Sequence, residues 1–313
     1  PGTYNENINI PSGKNGLVIN GPNAGLNDAN GSRATEASIV AAANAPVITV
    51  NSAVTSYTID GFRLVGADYL NDVNGSIIWA SGGATVSNIL NNSIELSSSL
   101  TGTKRYIWLG PSSSVNSGSP FISGNINHNI FQAAGTGEGF AGITMQQWSQ
   151  NFNINANKFV GMIGQRNILI YHPTPTVVIS NNELFVSDDG ANGGSARELI
   201  AVLGNAPTVT AGGIVVQNNF FTTGTGGKGI RIENASTYGA NLAINNNHFG
   251  GVAGFAIQNS GTGTVTATCN WYGTANAGLI PAKISGSGIN YTPWLIGGGD
   301  GAGFGFQPTA SCT

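Results

Sequence analysis

Charge is what this sequence has least of. Only 8% of its 313 residues are charged, 11 basic and 14 acidic, against about a quarter in an ordinary soluble domain. The formal net charge is -3 and no block of like charges occurs, so a nucleic-acid footprint and a basic face for anionic lipid are both excluded. Long hydrophobic runs are also missing. No stretch of about 18 apolar residues is present, so no helix is expected to span a bilayer. The opening "PGTYNENINI" has neither the basic start nor the apolar stretch of a signal peptide. Cysteine is reduced to Cys269 and Cys312, and histidine to His128, His172 and His248. With no paired Cys/His motif, structural zinc is not expected. The two cysteines either form one disulfide closing a C-terminal loop or stay reduced, and their spacing does not decide between these states.

What the chain does have is glycine, 47 of them, with abundant Asn, Ser and Thr, and 40% hydrophobic residues. That apolar content suffices for a sizeable core. Polarity comes from amides, hydroxyls and backbone.

These residues repeat. Aliphatic, two residues, Asn, one residue, apolar describes "ILNNSI" (89–94), "INHNIF" (126–131), "INANKF" (154–159), "ISNNEL" (179–184), "VQNNFF" (216–221), "INNNHF" (244–249) and the degenerate "ATCNWY" (267–272). The recurrent residues are Asn92, Asn129, Asn157, Asn182, Asn219, Asn247 and Asn270, spaced by 37, 28, 25, 37, 28 and 23 residues. "SYTIDGFRL" (56–64) and "NGLVINGP" (15–22) read as earlier coils with the Asn replaced. Between these segments runs a second series of short β-branched stretches: "SIIWAS", "RYIWLG", "GITMQQW", "NILIYH", "ELIAVLG", "GIRIEN" and "GFAIQN".

Short strands separated by Gly, Asn and Ser turns, with no helix signal, predict an all-β solenoid of about nine coils, each giving two or three short parallel strands. Asn tolerates the left-handed conformation of a tight turn, so the recurrent asparagines are expected to take it themselves. Stacked coils would set the amides roughly 4.8 Å apart, where they bond to one another in an internal ladder and satisfy their own donors and acceptors inside the core.

The repeats, the asparagine turn and "PGTYNENINI...GLVINGPNAG" resemble right-handed parallel β-helix proteins of the pectate-lyase-like superfamily. The ending "CNWYGTANAG...KISGSGINYTPWL" looks like the closing coil of large secreted surface proteins of Bacteroidetes-type bacteria. The resemblance covers nearly the whole chain and implies the fold. That superfamily holds lyases, hydrolases, esterases, adhesins and phage tailspikes, so no single activity follows. A β-helix domain over 1–296 is expected, with 297–313 a tail or a linker to a further module. The resemblance also implies a segment of a longer protein that is secreted or held at the cell surface, with neighbouring modules or subunits meeting its ends.

No catalytic motif of those enzymes matches residue by residue. With Ile230 and Ile232 inward, Arg231 and Glu233 face outward, and Tyr171 does so on a nearby coil. His172 ends that strand, and the insertion "VSDDGANGGSARE" brings Asp188, Asp189, Arg197 and Glu198 toward the same edge. This set is the one place where a lyase or hydrolase cleft is expected, if any exists. Arg231 and Glu233 otherwise read as a solvated surface pair and His172 as a turn residue. "DDGANGG" has the oxygen-rich, flexible character that suits calcium, but offers two carboxylates only and reads first as a polar turn.

Trp79 and Trp108 occupy equivalent outward positions in consecutive strands, with Gln146, Gln147 and Trp148 on the next coil. Flat rings beside amides suit sugars, so Trp79, Trp108, Gln146, Trp148 and Tyr171 form the expected carbohydrate-contacting set. The competing expectation is that the rings pack as core. Trp271, Tyr272, Tyr291 and Trp294 are expected to close the C-terminal end. Sparse, scattered ionisable groups favour a structural, adhesive or glycan-contacting role over catalysis.

Overall fold

The structure is a computed structural model and describes residues 1–26, 33–66, 76–96, 105–110, 123–133, 139–145, 151–161, 164–171, 176–186, 198–203, 213–233 and 242–313. The described strands fall into three sheets, and the chain visits them in rotation up to the last coil, where it passes from Val265–Thr266 of the third sheet to Ile284–Ser285 of the second. The first sheet has nine strands, from Thr3–Asn5 to His248–Gly251. The second has ten, from Ile8–Ile10 to Ile284–Ser285, and the third ten, from Leu17–Asn20 to Ile289–Asn290. Neighbouring strands within each sheet pair in parallel, as in Ser93–Leu96 with Ile130–Ala133 and Gly124–Asn127 with Phe152–Asn155. This is a parallel β-helix. Among the described residues no helix is long and apolar enough to cross a membrane.

Every repeat segment identified in the sequence straddles one corner of this helix. "INHNIF" leaves the third sheet at Asn127, turns through His128 and Asn129, and enters the first sheet at Ile130. Alternation then sends Ile126 and Phe131 into the core, where both are fully buried. The second series of short stretches forms the second sheet, with Ile78, Ile107, Ile143, Ile168, Ile200, Ile230 and Ile257 in one buried inward column. Aromatic rings form short stacks along the axis, Phe131 on Phe159 at 4.5 Å and Phe221 near Phe249 at 4.6 Å.

The seven recurrent asparagines are all fully buried and form one continuous row. Each side-chain oxygen from Asn129 onward accepts two bonds from the asparagine of the preceding coil, from its backbone N–H at 2.9–3.0 Å and its Nδ2 at 2.9–3.2 Å. Each Nδ2 also donates to a carbonyl of the preceding coil, at 2.7–3.0 Å. At the leading end Asn92 Oδ1 accepts from the Phe62 N–H. One expectation needs correcting. The left-handed residue is the one before each ladder asparagine: Asn91, His128, Ala156, Asn181, Asn218, Asn246 and Cys269, with φ between 53° and 58°. The turn spends its special backbone on that residue, which leaves the ladder side chain free to point inward. One coil earlier Gly61 holds the left-handed place, with a backbone approach to Ala24 that no Cβ would fit.

The segment 297–313 does not run away from the helix. It returns along the corner that carries the ladder. Cys269 and Cys312 form a disulfide across 43 residues of sequence, and Leu295 pairs with Cys312 in an antiparallel bridge. Phe306 is fully buried, its ring edge-on to Phe220 and His248, and its N–H donates to Asn218 O at 2.8 Å. Phe304 reaches as far as His128. Gly305 passes so close to Asn181 and Asn218 that a side chain would clash with their backbone.

Candidate functional site

The outer face of the second sheet gathers most of the residues singled out in the sequence. Strand register places Trp79, Trp108, Thr144, Leu169, Ala201, Arg231 and Gln258 in a single row along the helix axis. One end is aromatic and cationic, the middle is apolar, and the other end is charged.

At the aromatic end the guanidinium of Arg105 lies 4.0 Å from the centroid of the Trp108 ring, a cation–π contact out of water. Trp108 is 2% exposed and Arg105 6%. At 2% exposure Trp108 has no open ring face to present to a sugar, against that expectation; Arg105 lies over it and the Trp79 ring centroid is 6.5 Å away. Trp79 is half-buried, and its indole N–H donates to the Gly110 carbonyl at 3.0 Å. In the middle, Ala141, Leu169 and Ala201 form a small buried cluster of their own, against which Tyr171 and Leu203 pack. Tyr171 thus belongs to an apolar patch and not to the charged end.

The charged end is a chain of ion pairs. Glu198, only 1% exposed, accepts a hydrogen bond from Arg231 on Oε1 at 3.1 Å and faces Arg166 Nε on Oε2 at 3.1 Å in a charge contact that is not a hydrogen bond. The second terminal nitrogen of Arg231 binds Glu233. Arg231, Glu233 and Glu198 converge as the alternation and the insertion imply. Arg231 and Glu233 are not an isolated solvated pair, because buried Glu198 ties them to Arg166. The sequence reading passed over Arg166. Strict alternation hides it: in "QRNILIY" Arg166 stands two residues before inward Ile168, and it meets Glu198 of the neighbouring strand because Asn167 and Ile168 are both buried and the alternation breaks there.

Two guanidiniums and two carboxylates meet at this end, and Lys228 stands beside them with its Nζ on Gln258 Oε1 at 2.8 Å. Both carboxylates accept from Arg231, and the second Glu198 oxygen is buried against Arg166. The nearby Tyr106 hydroxyl lies on the inner side, donates to Gln132 O at 3.0 Å and is pushed far up by burial, which removes it as a proton donor. His172, Asp188, Asp189, Arg197, Gln146, Gln147 and Trp148 lie outside the described residues, as does the "DDGANGG" loop. Among the described residues no group of three or more His, Cys, Asp or Glu is placed to hold a metal ion.

At the C-terminal end, Tyr272 is fully buried beneath Phe249, Tyr291 meets it edge-on, and Trp294 packs against the core. Sequence reasoning missed the returning strap of Phe304, Phe306 and Gln307. "GFGFQ" does carry a signal, two aromatics alternating with glycines, but nothing local says which corner it meets.

No family model, curated protein or solved structure matches this chain.

Proposed function

We propose that this chain is an extracellular structural and adhesive β-helix segment of a bacterial surface protein, built on the pectate-lyase-like type of scaffold and of the Bacteroidetes-type secreted class, and that it contacts glycans without cleaving them. The observation that carries this reading is the closed ion-pair chain Arg166–Glu198–Arg231–Glu233. Glycan cleavage requires a proton donor and a base or nucleophile held open to one bond. Here the converging carboxylates are occupied by guanidiniums, and the innermost is buried. The disulfide supports an oxidising compartment. A ladder without a gap and a covalently tied strap suit a segment whose task is to persist outside the cell.

The second reading is a polysaccharide lyase or glycoside hydrolase using the second-sheet face. What favours it is that Glu198 and Glu233 share one arginine, which brings two carboxylates to the same edge. Incubation with pectins, alginates and neutral glycans, with and without calcium, separates the two. The structural reading expects no new reducing or unsaturated ends. Their release, abolished in Arg231→Ala or Glu233→Ala, would establish the enzyme instead.

A further inference from the structure

The second sheet is not the only outer face with ordered polar groups. On the third sheet, register aligns Asn88, Asn125 and Asn153 in one row, and Leu90, Asn127 and Asn155 in the row beside it. All six are half-buried and stand on successive coils. Within these rows a recess of about 350 Å³ is lined by Asn88, Leu90, Asn91, Asn125, Asn127 and His128. That size lies at the lower end of the range for small-molecule sites.

The amides are held in place. Asn125 Nδ2 donates to Asn88 Oδ1 at 2.9 Å, Asn88 Nδ2 reaches Thr58 Oγ1 at 3.4 Å, and Asn127 Oδ1 accepts from the Asn155 N–H at 3.1 Å. Among the described residues this leaves the Asn125 oxygen and the Asn127 amide nitrogen without protein partners. A second, independent feature lies at the bottom. Asn91 is 3% exposed, its Nδ2 donates to Asp60 Oδ1 at 2.8 Å, and its own Oδ1 is buried with no hydrogen-bond partner. A buried acceptor left unmatched is costly and rare, and Asn91 is one of the residues that line the recess. His128, in the left-handed turn position, stands at the rim with its ring edge-on to Phe304 of the strap at 5.5 Å.

From this arrangement we infer that the corner of the third sheet around His128 is a binding site for a neutral, hydroxyl-rich glycan chain laid along the helix axis. The inference rests on the glycan-contacting reading above and moves the contact away from the tryptophans. Fixed amides offer donor and acceptor pairs to neighbouring hydroxyls, and the Asn91 oxygen accepts from one of them. Leu90 and the His128 ring supply apolar surface for a pyranose face. Strand spacing of roughly 4.8 Å repeats this pattern coil by coil, which suits a ligand that is itself a repeating chain. None of the lining residues is cationic, so phosphate, sulfate and uronate groups find no partner. A peptide strand would need an unpaired sheet edge, and this is a face.

The test is titration calorimetry of the intact chain with neutral gluco-, manno- and xylo-oligosaccharides and with oligogalacturonate, repeated on Asn125→Ala, His128→Asn and Trp79→Ala. Asparagine at 128 keeps a residue that tolerates the left-handed turn. The expected result is binding of a neutral oligosaccharide, weakened about tenfold by Asn125→Ala and by His128→Asn at unchanged melting temperature, and unaffected by Trp79→Ala. Binding that survives the first two changes but is lost with Trp79→Ala returns the contact to the second sheet; it overturns this site and leaves the glycan-contacting function standing. Binding of oligogalacturonate alone also overturns the site. Binding of no oligosaccharide at all overturns both.

Discussion

Gln307 donates from Nε2 to Asn181 Oδ1 at 3.1 Å, a bond between residues 126 apart in sequence. Asn181 is the left-handed residue of its coil and Gln307 belongs to the returning C-terminal segment. The same glutamine accepts from Asn218 Nδ2 on the next coil. The amides that make the corner turn are therefore also the anchors of the strap that covers it. The strap is fastened at its end by Cys269–Cys312, and Cys269 itself occupies the left-handed position of its coil.

Breaking that fastening should loosen the corner without unwinding the helix. Closing a loop of this length restrains the unfolded chain by about 2 to 4 kcal/mol. Cys312→Ser is expected to lower stability by an amount in that range and to raise proteolytic cleavage in 297–313, read by mass spectrometry. Unchanged cleavage would mean that Phe306 and Gln307 hold the strap by themselves.

The ladder should respond at its centre. Asn182 Oδ1 accepts from both the N–H and the Nδ2 of Asn157, and Asn182 donates onward to Asn219 and to Ile154 O. Leucine at 182 leaves the Asn157 N–H buried without an acceptor. Asn182→Leu is expected to cost about 1 to 3 kcal/mol in chemical denaturation. Wild-type stability in that variant would show that the row does not depend on its side-chain bonds.

His248 gives the strap a pH dependence. Its ring stacks on Phe220 at 4.0 Å and meets Phe306 edge-on. Burial lowers its pKa below the ordinary 6.5, opposed in part by its own backbone and by Asp300. A depressed folded-state value means that the unfolded chain takes up the proton first as pH falls. The contribution is thus present above the unfolded value and is lost below it. Melting temperature is expected to drop more steeply in wild type than in His248→Gln between about pH 7.5 and pH 5. Parallel profiles would remove His248 as the cause.

Much of the fold was legible because each coil obeys two local rules at once. Alternation fixes which Ile and Phe face inward, and the corner asparagine recurs at a spacing only stacked coils can use. The same rules placed Arg231 and Glu233 outward. They could not say what lies over an outward residue. Trp79 and Trp108 occupy the same place in the pattern, yet one is half-buried and the other lies beneath Arg105 of its own strand, because alternation says which side a residue faces and not which neighbour folds over it. For the same reason the strap and the Asn88–Asn125 row went unread: neither is a local pattern, and both exist only once coils are stacked in register.

The ion-pair chain offers the sharpest test of what the second-sheet face is for. Glu198 is the inner member, and removing its charge takes one carboxylate from between Arg166, whose side chain is 12% exposed, and Arg231 at 30%. Breaking a buried pair from one side costs more than the pair contributes, because the remaining charge loses a buried counter-charge. Glu198→Ala is expected to lose about 2 to 4 kcal/mol, the lower part of that range reflecting the water that reaches Arg231. Glu233→Ala, at the exposed end of the chain, should lose less than about 1 kcal/mol. Denaturation curves of the two variants measure this asymmetry directly. A structural chain gives a large loss at 198 and a small one at 233. Two stable variants would mean that the carboxylates are not needed for folding, and the face would then have to be reconsidered as a site kept for chemistry.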